Sequence, residues 1–273
     1  MKELLLRTLT GILLVLFTVL AVYFRGGLGI TVLFWVLMNI GLGEWIRLTE
    51  KTKGAMRFWP LALWGNLLYM AVVSASYGWM EWRWILAACL LSLAVLVLHA
   101  VFTSGQDGTR RLAMTVAGGL YVSGCSAVLS LLALPFGKVG SQALMGFFLL
   151  IWAGDVFAYV IGSLLGRHKL CPSISPSKSW EGAAGGFLMA LLCGFLWWKW
   201  KMPEIPSGLW MGFSAVVAVS SILGDLVESK LKRNAGMKDS GTLLPGHGGV
   251  LDRFDSVLFA CPMAFVFELV FFY

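Results

Sequence analysis

Residues 225–255 gather Asp225, Glu228, Lys230, Lys232, Arg233, Lys238, Asp239, Asp252, Arg253 and Asp255. These are ten of the charged residues of a 273-residue chain that holds only 21 Lys and Arg and 14 Asp and Glu. Charge beside a bilayer is costly and marks function by default. Asp252 and Asp255 stand three apart, a spacing that puts both carboxylates on one helical face, and Asp225 and Glu228 repeat it. Carboxylates converging at a membrane interface repel unless a cation joins them. Oxygen ligands select a hard ion, and Mg²⁺ held by one or two carboxylates plus substrate phosphate is the usual arrangement. The alternative is a set of helix-end acids paired with Arg253 and Lys232.

Between these acids lies PGHGG, residues 245–249. Its glycines permit positive φ and close approach of a ligand to the backbone. Successive amides, followed by the positive end of a helix, can cradle an anion; the plainer reading is a tight turn. His247 stands either against substrate or in a local turn bond. Lys230, Lys232, Arg233 and Lys238 suit phosphate or act as topology signals, and their clustering with acids and glycines favours phosphate. A second segment, GRHKLCPSISPSKSWEG at 166–182, offers Ser175, Ser177, Lys178 and Ser179 as phosphate donors, stiffened by Pro172 and Pro176. Ser179, Glu181 and Gly182 also suit the start of a helix. Upstream, Asp155, Tyr159 and Gly162 share one helical stripe, and an Asp inside a membrane helix is a functional candidate or a packed polar contact.

The rest of the chain must hold these residues at a membrane. It is 59% hydrophobic and 13% charged, against about 25% charge in soluble domains. Apolar runs of bilayer length fall at 5–24, 28–46, 58–78, 83–103, 112–134, 142–165, 182–200, 208–228 and 251–272. Backbone groups in lipid must be satisfied internally, so an all-α polytopic protein of about nine membrane helices is expected, with no barrel alternation. The first run is read as a retained helix rather than a signal peptide, since no small-residue cleavage site follows it. Placing the N-terminus and the loops after even-numbered helices on one side gives that side 16 of the 21 Lys and Arg. The positive-inside rule makes it cytoplasmic and puts the C-terminus outside. Both special segments then face the cytoplasm as loops, 166–181 and 229–250. One transmembrane domain spans 1–273, with N-terminal helices at about 1–134 and catalytic helices and loops at about 142–273. The net charge of +7 belongs to the membrane-facing loops, and no nucleic-acid motif appears. Five scattered cysteines show neither metal spacing nor a disulfide framework.

The string from Ser229 to Asp255 resembles the signature of the phosphatidate cytidylyltransferases, also called CDP-diacylglycerol synthases. It runs Ser229, Lys232, Arg233, Lys238, Asp239, Pro245, Gly246, His247, Gly248, Gly249, Asp252, Arg253 and Asp255. ISPSKSWEG is similar to the family's second block, with the Asp155–Tyr159–Gly162 stripe ahead of it. The resemblance implies CTP and phosphatidate as substrates, CDP-diacylglycerol and pyrophosphate as products, and phospholipid synthesis at a bacterial inner membrane. It also implies Mg²⁺, a site open to cytoplasm and bilayer, and a homodimer; a second metal ion, monovalent or divalent, is allowed. On this reading Asp225, Asp252 and Asp255 hold metal, and Lys232, Arg233, Lys238 and Arg253 hold phosphates of CTP or lipid. Ser175, Ser177 and Lys178 close over the nucleotide, with Gly248 and Gly249 beside it and His247 in the catalytic set. A CDP-alcohol phosphotransferase needs a longer acidic signature that the chain lacks. An ion-coupled transporter expects acids near mid-helix, and most acids here sit at helix ends. Glu44 and Glu268 take no role from the sequence.

Overall fold

The computed structural model describes residues 2–50, 58–103, 108–132, 139–243 and 248–271. Lys51, Lys53, Arg57 and Lys138 of the orientation argument, and Pro245, Gly246 and His247 of the signature, lie outside them. Ten α-helices are described: α1 (Lys2–Tyr23), α2 (Leu28–Glu50), α3 (Phe58–Ser76), α4 (Trp82–Thr103), α5 (Gly108–Gly118), α6 (Cys125–Val128), α7 (Gly140–Leu165), α8 (Trp180–Lys201), α9 (Ser207–Asn234) and α10 (Leu251–Phe271). Six of them (α2, α3 and α7 to α10) are long and apolar enough to cross a membrane, and α1 and α4 carry shorter apolar stretches, Thr10–Tyr23 and Leu86–Leu98.

The chain forms two compact units. The first contains residues 1–131 and 231–253. Its core is lined by the α2 stripe Ile30, Phe34, Met38, Leu42 and Trp45, a helical repeat of apolar positions. The fifth expected helix, 112–134, is found as a continuous helical run over 108–128, in which a π-helical turn over Gly119–Gly124 stands between α5 and α6. At the start of this turn, Gly118 and Gly119 meet two indoles closely. The indole of Trp45 presses on the first and that of Trp64 on the second, so neither position has room for a Cβ. Trp45 also donates to Met114 O at 3.1 Å.

The second unit contains residues 132–230 and 254–273. Here α7 and α8 lie backbone to backbone along Gly154, Ala158 and Gly162 on one side and Gly182, Gly186 and Ala190 on the other. A Cβ at Gly186 would stand 2.6 Å from Gly154 O, and one at Gly182 2.7 Å from Ala158 O. Small residues at such a seam let membrane helices approach closely where no hydrophobic force drives them together. Large apolar side chains on the outer faces, among them Leu164, Leu188, Leu192 and Val266, stay exposed, as lipid contact requires.

Two expected loops have more structure than their composition suggests. Residues 169–179 form an antiparallel hairpin of β1 (Lys169–Cys171) and β2 (Ser175–Ser179), with Lys169 opposite Ser179 and Cys171 opposite Ser175. Ser179 then caps α8, its Oγ accepting from Gly182 N at 3.1 Å. The eighth expected helix, 208–228, continues to Asn234, so Lys230, Lys232 and Arg233 ride on α9 and not in a loop. Beyond Gly224 no Gly or Pro occurs until Gly236, which takes φ +66°. There Gly236 N donates to Arg233 O at 3.0 Å and Met237 N to Lys232 O at 2.9 Å, the paired bonds of a Schellman stop.

Gly186→Leu is therefore expected to force α7 and α8 apart and to cost about 1–3 kcal/mol by overpacking. A thermal melt of the purified protein in detergent checks this, and an unchanged melting temperature would show that the seam is loose.

Candidate active site

In the first unit the signature residues are organised by two carboxylates. Asp252 lies in the first turn of α10, where an acid complements the helix dipole. Its Oδ1 accepts from Lys232 Nζ at 2.6 Å. Its Oδ2 accepts from Gly249 N at 2.7 Å, Ser240 N at 2.8 Å and Ser240 Oγ at 3.0 Å. The Lys232 and Asp252 side chains are only 13% and 4% exposed, so the pair is a buried one, supported from the loop at Asp252 Oδ2. The helix-end pairing weighed for Lys232 is thus present. The glycines make it possible. Gly248 has φ +85°, and a Cβ there would stand 2.7 Å from Asp252 Oδ2, so conformation and space both demand glycine.

The second carboxylate is Glu44, late in α2 and only 3% exposed. Its Oε1 accepts from Val250 N at 2.9 Å, and its Oε2 from Leu251 N at 2.8 Å and Ser240 Oγ at 2.9 Å. A Cβ at Gly241 or at Gly249 would stand 2.5 Å from a Glu44 oxygen. The amides of Gly249, Val250 and Leu251, expected as an anion cradle, thus serve carboxylates of the chain itself. Sequence reasoning gave Glu44 no role. The available signal was a lone acid in an apolar helix, which needs a partner from somewhere.

In the second unit Asp225 of α9 pairs with Lys178 of β2 and accepts from Ser229 Oγ at 3.2 Å. Lys178 is held mostly out of solvent, while the Asp225 side chain is 37% exposed and reachable. Asp155 of α7 lies within electrostatic reach of both, with Ser221 Oγ 3.4 Å from its Oδ1. Asp155 and Tyr159 are exposed, whereas Gly162 of the same stripe lies against Gly182 and Ser179. At Gly224 helix α9 crosses α10 closely: a Cβ would stand 2.7 Å from Asp255 O and 3.1 Å from Ser256 Cα. Asp225 and Asp255 therefore occupy neighbouring stretches of backbone. Glu181 closes the hairpin base, accepting from His168 N at 3.2 Å and Arg167 N at 3.1 Å, with His168 Nδ1 at 2.6 Å.

Of the other expected site residues, Arg233, Lys238 and Arg253 are exposed. Ser175 and Ser177 face one another with their Oγ atoms 3.4 Å apart. Among the described residues no group of three or more His, Cys, Asp or Glu side chains is gathered as a metal cluster. Glu268, fully buried in α10, has no hydrogen-bond partner among them.

The sequence pattern described as "Cytidylyltransferase family" matches residues 5–271. A phosphatidate cytidylyltransferase of Bacillus subtilis is 31% identical over 262 residues, 95% of each chain. One of Staphylococcus epidermidis is 43% identical over 126 residues, 45% of this chain and 48% of that one. One of Staphylococcus saprophyticus is 45% identical over 116 residues, 42% of this chain and 45% of that one.

Because Asp252 is buried against Lys232, Lys232→Met should strand a buried carboxylate and cost about 3 kcal/mol of stability. The exposed Lys230→Met is the control and should melt as the parent does. Equal melting of the two variants would mean that the buried pair contributes nothing.

Proposed function

We propose that this chain, which belongs to the cytidylyltransferase family, transfers the cytidylyl group of CTP to phosphatidate, giving CDP-diacylglycerol and pyrophosphate. One observation carries the reading. The signature's Lys232, Gly248, Gly249 and Asp252 are bound into one buried network, in a chain matched by the family pattern from residue 5 to residue 271.

The attacking group is a phosphate monoester, whose second pKa is about 6, so it is already largely anionic and needs no strong base. Its oxygen forms a bond to the α-phosphorus of CTP. The bond from that phosphorus to the bridging oxygen breaks, and its electron pair leaves with pyrophosphate. The obstacle is repulsion between polyanions, so the work is positioning and charge stabilisation. We assign Arg233, Lys238 and Arg253 to the phosphates, together with Lys232, whose ammonium Asp252 fixes in place. Lys178, with Ser175 and Ser177, covers the nucleotide from the hairpin, and His247, Gly248 and Gly249 border it.

We assign Asp225, Asp252 and Asp255 to Mg²⁺. The donor set fits, since it is made of carboxylate oxygens alone, as a hard ion prefers. The reachable Asp225 carboxylate and its neighbourhood with Asp255 support this assignment. Mg²⁺ commonly keeps water and substrate oxygens as its other ligands, which the three acids would leave room for. When bound, such an ion supplies the positive charge that offsets phosphate repulsion. A monovalent or divalent second ion is part of the same proposal.

The bacterial relatives support a bacterial inner-membrane location, and the excess of Lys and Arg on one side supports a cytoplasmic N-terminus and active-site segments, with the C-terminus outside. Acyl chains enter sideways from the bilayer past the exposed apolar helix faces. A homodimer completes the proposal.

The test is turnover by purified protein in detergent with labelled CTP, phosphatidate and Mg²⁺. Labelled CDP-diacylglycerol is expected, lost on chelation and restored by added Mg²⁺. Asp225→Asn and Asp252→Ala are each expected to lower kcat by about 10²–10³-fold in protein that still elutes as a single folded species. No product from folded parent protein would overturn the reading. Full activity in both variants would remove these acids from the site.

A further inference from the structure

We infer that Glu44 is a positioning residue for the reaction. Through Ser240 and the backbone of residues 249–251, it sets where the Asp252 carboxylate, and with it the Lys232 ammonium, stands. The inference rests on the function proposed above for its catalytic consequence, but on the geometry alone for the linkage.

Two carboxylates from distant parts of the sequence share one short stretch of donors. Asp252 takes the amides of Ser240 and Gly249, and Glu44 takes those of Val250 and Leu251. The amides of 249, 250 and 251 are consecutive, so neither acid can shift without moving the donors of the other. Ser240 ties them again. Its hydroxyl, fully buried, lies 2.9 Å from Glu44 Oε2 and 3.0 Å from Asp252 Oδ2. A hydroxyl has one hydrogen, so the two acids compete for it and are held at a fixed separation around it. The packing is closed as well: side chains at Gly241 or Gly249 would collide with the Glu44 carboxylate. Because α2 lies nearly 200 residues upstream, Glu44 anchors the signature to a part of the fold that carries none of the signature residues.

A plain helix cap would make only the Val250 and Leu251 bonds. The Ser240 bond and the interleaving of donors distinguish a positioning role. Glu44→Gln preserves volume but presents an amide NH₂ to donors that need an acceptor. It should lower kcat by about 10²-fold, the usual cost of a misplacement near 1 Å, while the KM for CTP stays within about threefold. Residue-resolved amide exchange should then quicken by about tenfold or more at Ser240 and Gly249, whose acceptor is Asp252, as well as at Val250 and Leu251. Ser240→Ala is the gentler second variant. It should lower kcat and quicken exchange at Gly249, yet leave Val250 and Leu251 protected. The double variant should be no slower than the worse single one.

Faster exchange confined to Val250 and Leu251 in Glu44→Gln, with kcat unchanged, would reduce Glu44 to a cap and overturn the inference. So would a Ser240→Ala enzyme indistinguishable from the parent, or losses that simply multiply in the double variant. If the parent protein makes no CDP-diacylglycerol, the proposed function fails, and the exchange measurements still decide whether Glu44 holds the Asp252 segment.

Discussion

A carboxylate withdrawn from water must find donors, and the first unit is arranged around that requirement twice over. Glu44 and Asp252 together accept four backbone N–H groups, one serine hydroxyl and one lysine ammonium. An unmet buried charge costs far more than a hydrogen bond contributes. The backbone of the signature therefore has little freedom once both acids are in place. Its glycines follow from this. Gly248 takes a left-handed conformation beside Asp252, and Gly249 and Gly241 clear the space that Glu44 fills. These three glycines are accounted for by the protein's own anions, before any ligand is considered.

The same acids govern the bases. Lys232 sits at the last turn of α9, where a cation complements the helix dipole, and Asp252 holds its ammonium. Lys178 is held by Asp225 in the second unit. A lysine has a long, flexible stem, and fixing it against a carboxylate removes much of the reorganisation that a free ammonium undergoes when phosphate arrives. Charge stabilisation is most effective when the donors are already in place. In the proposed nucleotidyl transfer each lysine contributes by standing still, and each aspartate contributes partly by holding it there.

Much of this was legible in the sequence, and the rest failed for specific reasons. Composition and apolar run length identified the helices because lipid leaves no other way to satisfy a backbone. Charge clustering and residue order identified Lys232, Asp252 and the glycines as one group. Run length misplaced the end of α9, because apolarity stops near residue 228 while the helix needs only the absence of a breaker and continues to its stop at Gly236. It also missed the π-helical turn in the fifth helix, at whose start indoles from α2 and α3 reach Gly118 and Gly119. The hairpin at 169–179 was obscured by its prolines and serines, whose turn preferences hide a register fixed by Lys169 and Ser179.

Glu44 was illegible for a deeper reason. Periodicity and spacing relate residues that are near in sequence, and the partners of Glu44 lie 196 to 207 positions away. What the sequence does contain is the anomaly itself, an acid in an apolar helix. Asp155 is the same kind of anomaly, and its surroundings are the Ser221 hydroxyl and the Lys178–Asp225 pair. The two acids differ in what they accept. Glu44 faces only neutral donors, two amides and a hydroxyl, which belong to the segment entering α10 and to its first residue. An acid satisfied in that way exerts its effect by ordering backbone. One whose neighbours are another carboxylate and an ammonium exerts its effect through charge. The first description fits Glu44 in the first unit, and the second fits the surroundings of Asp155 in the second.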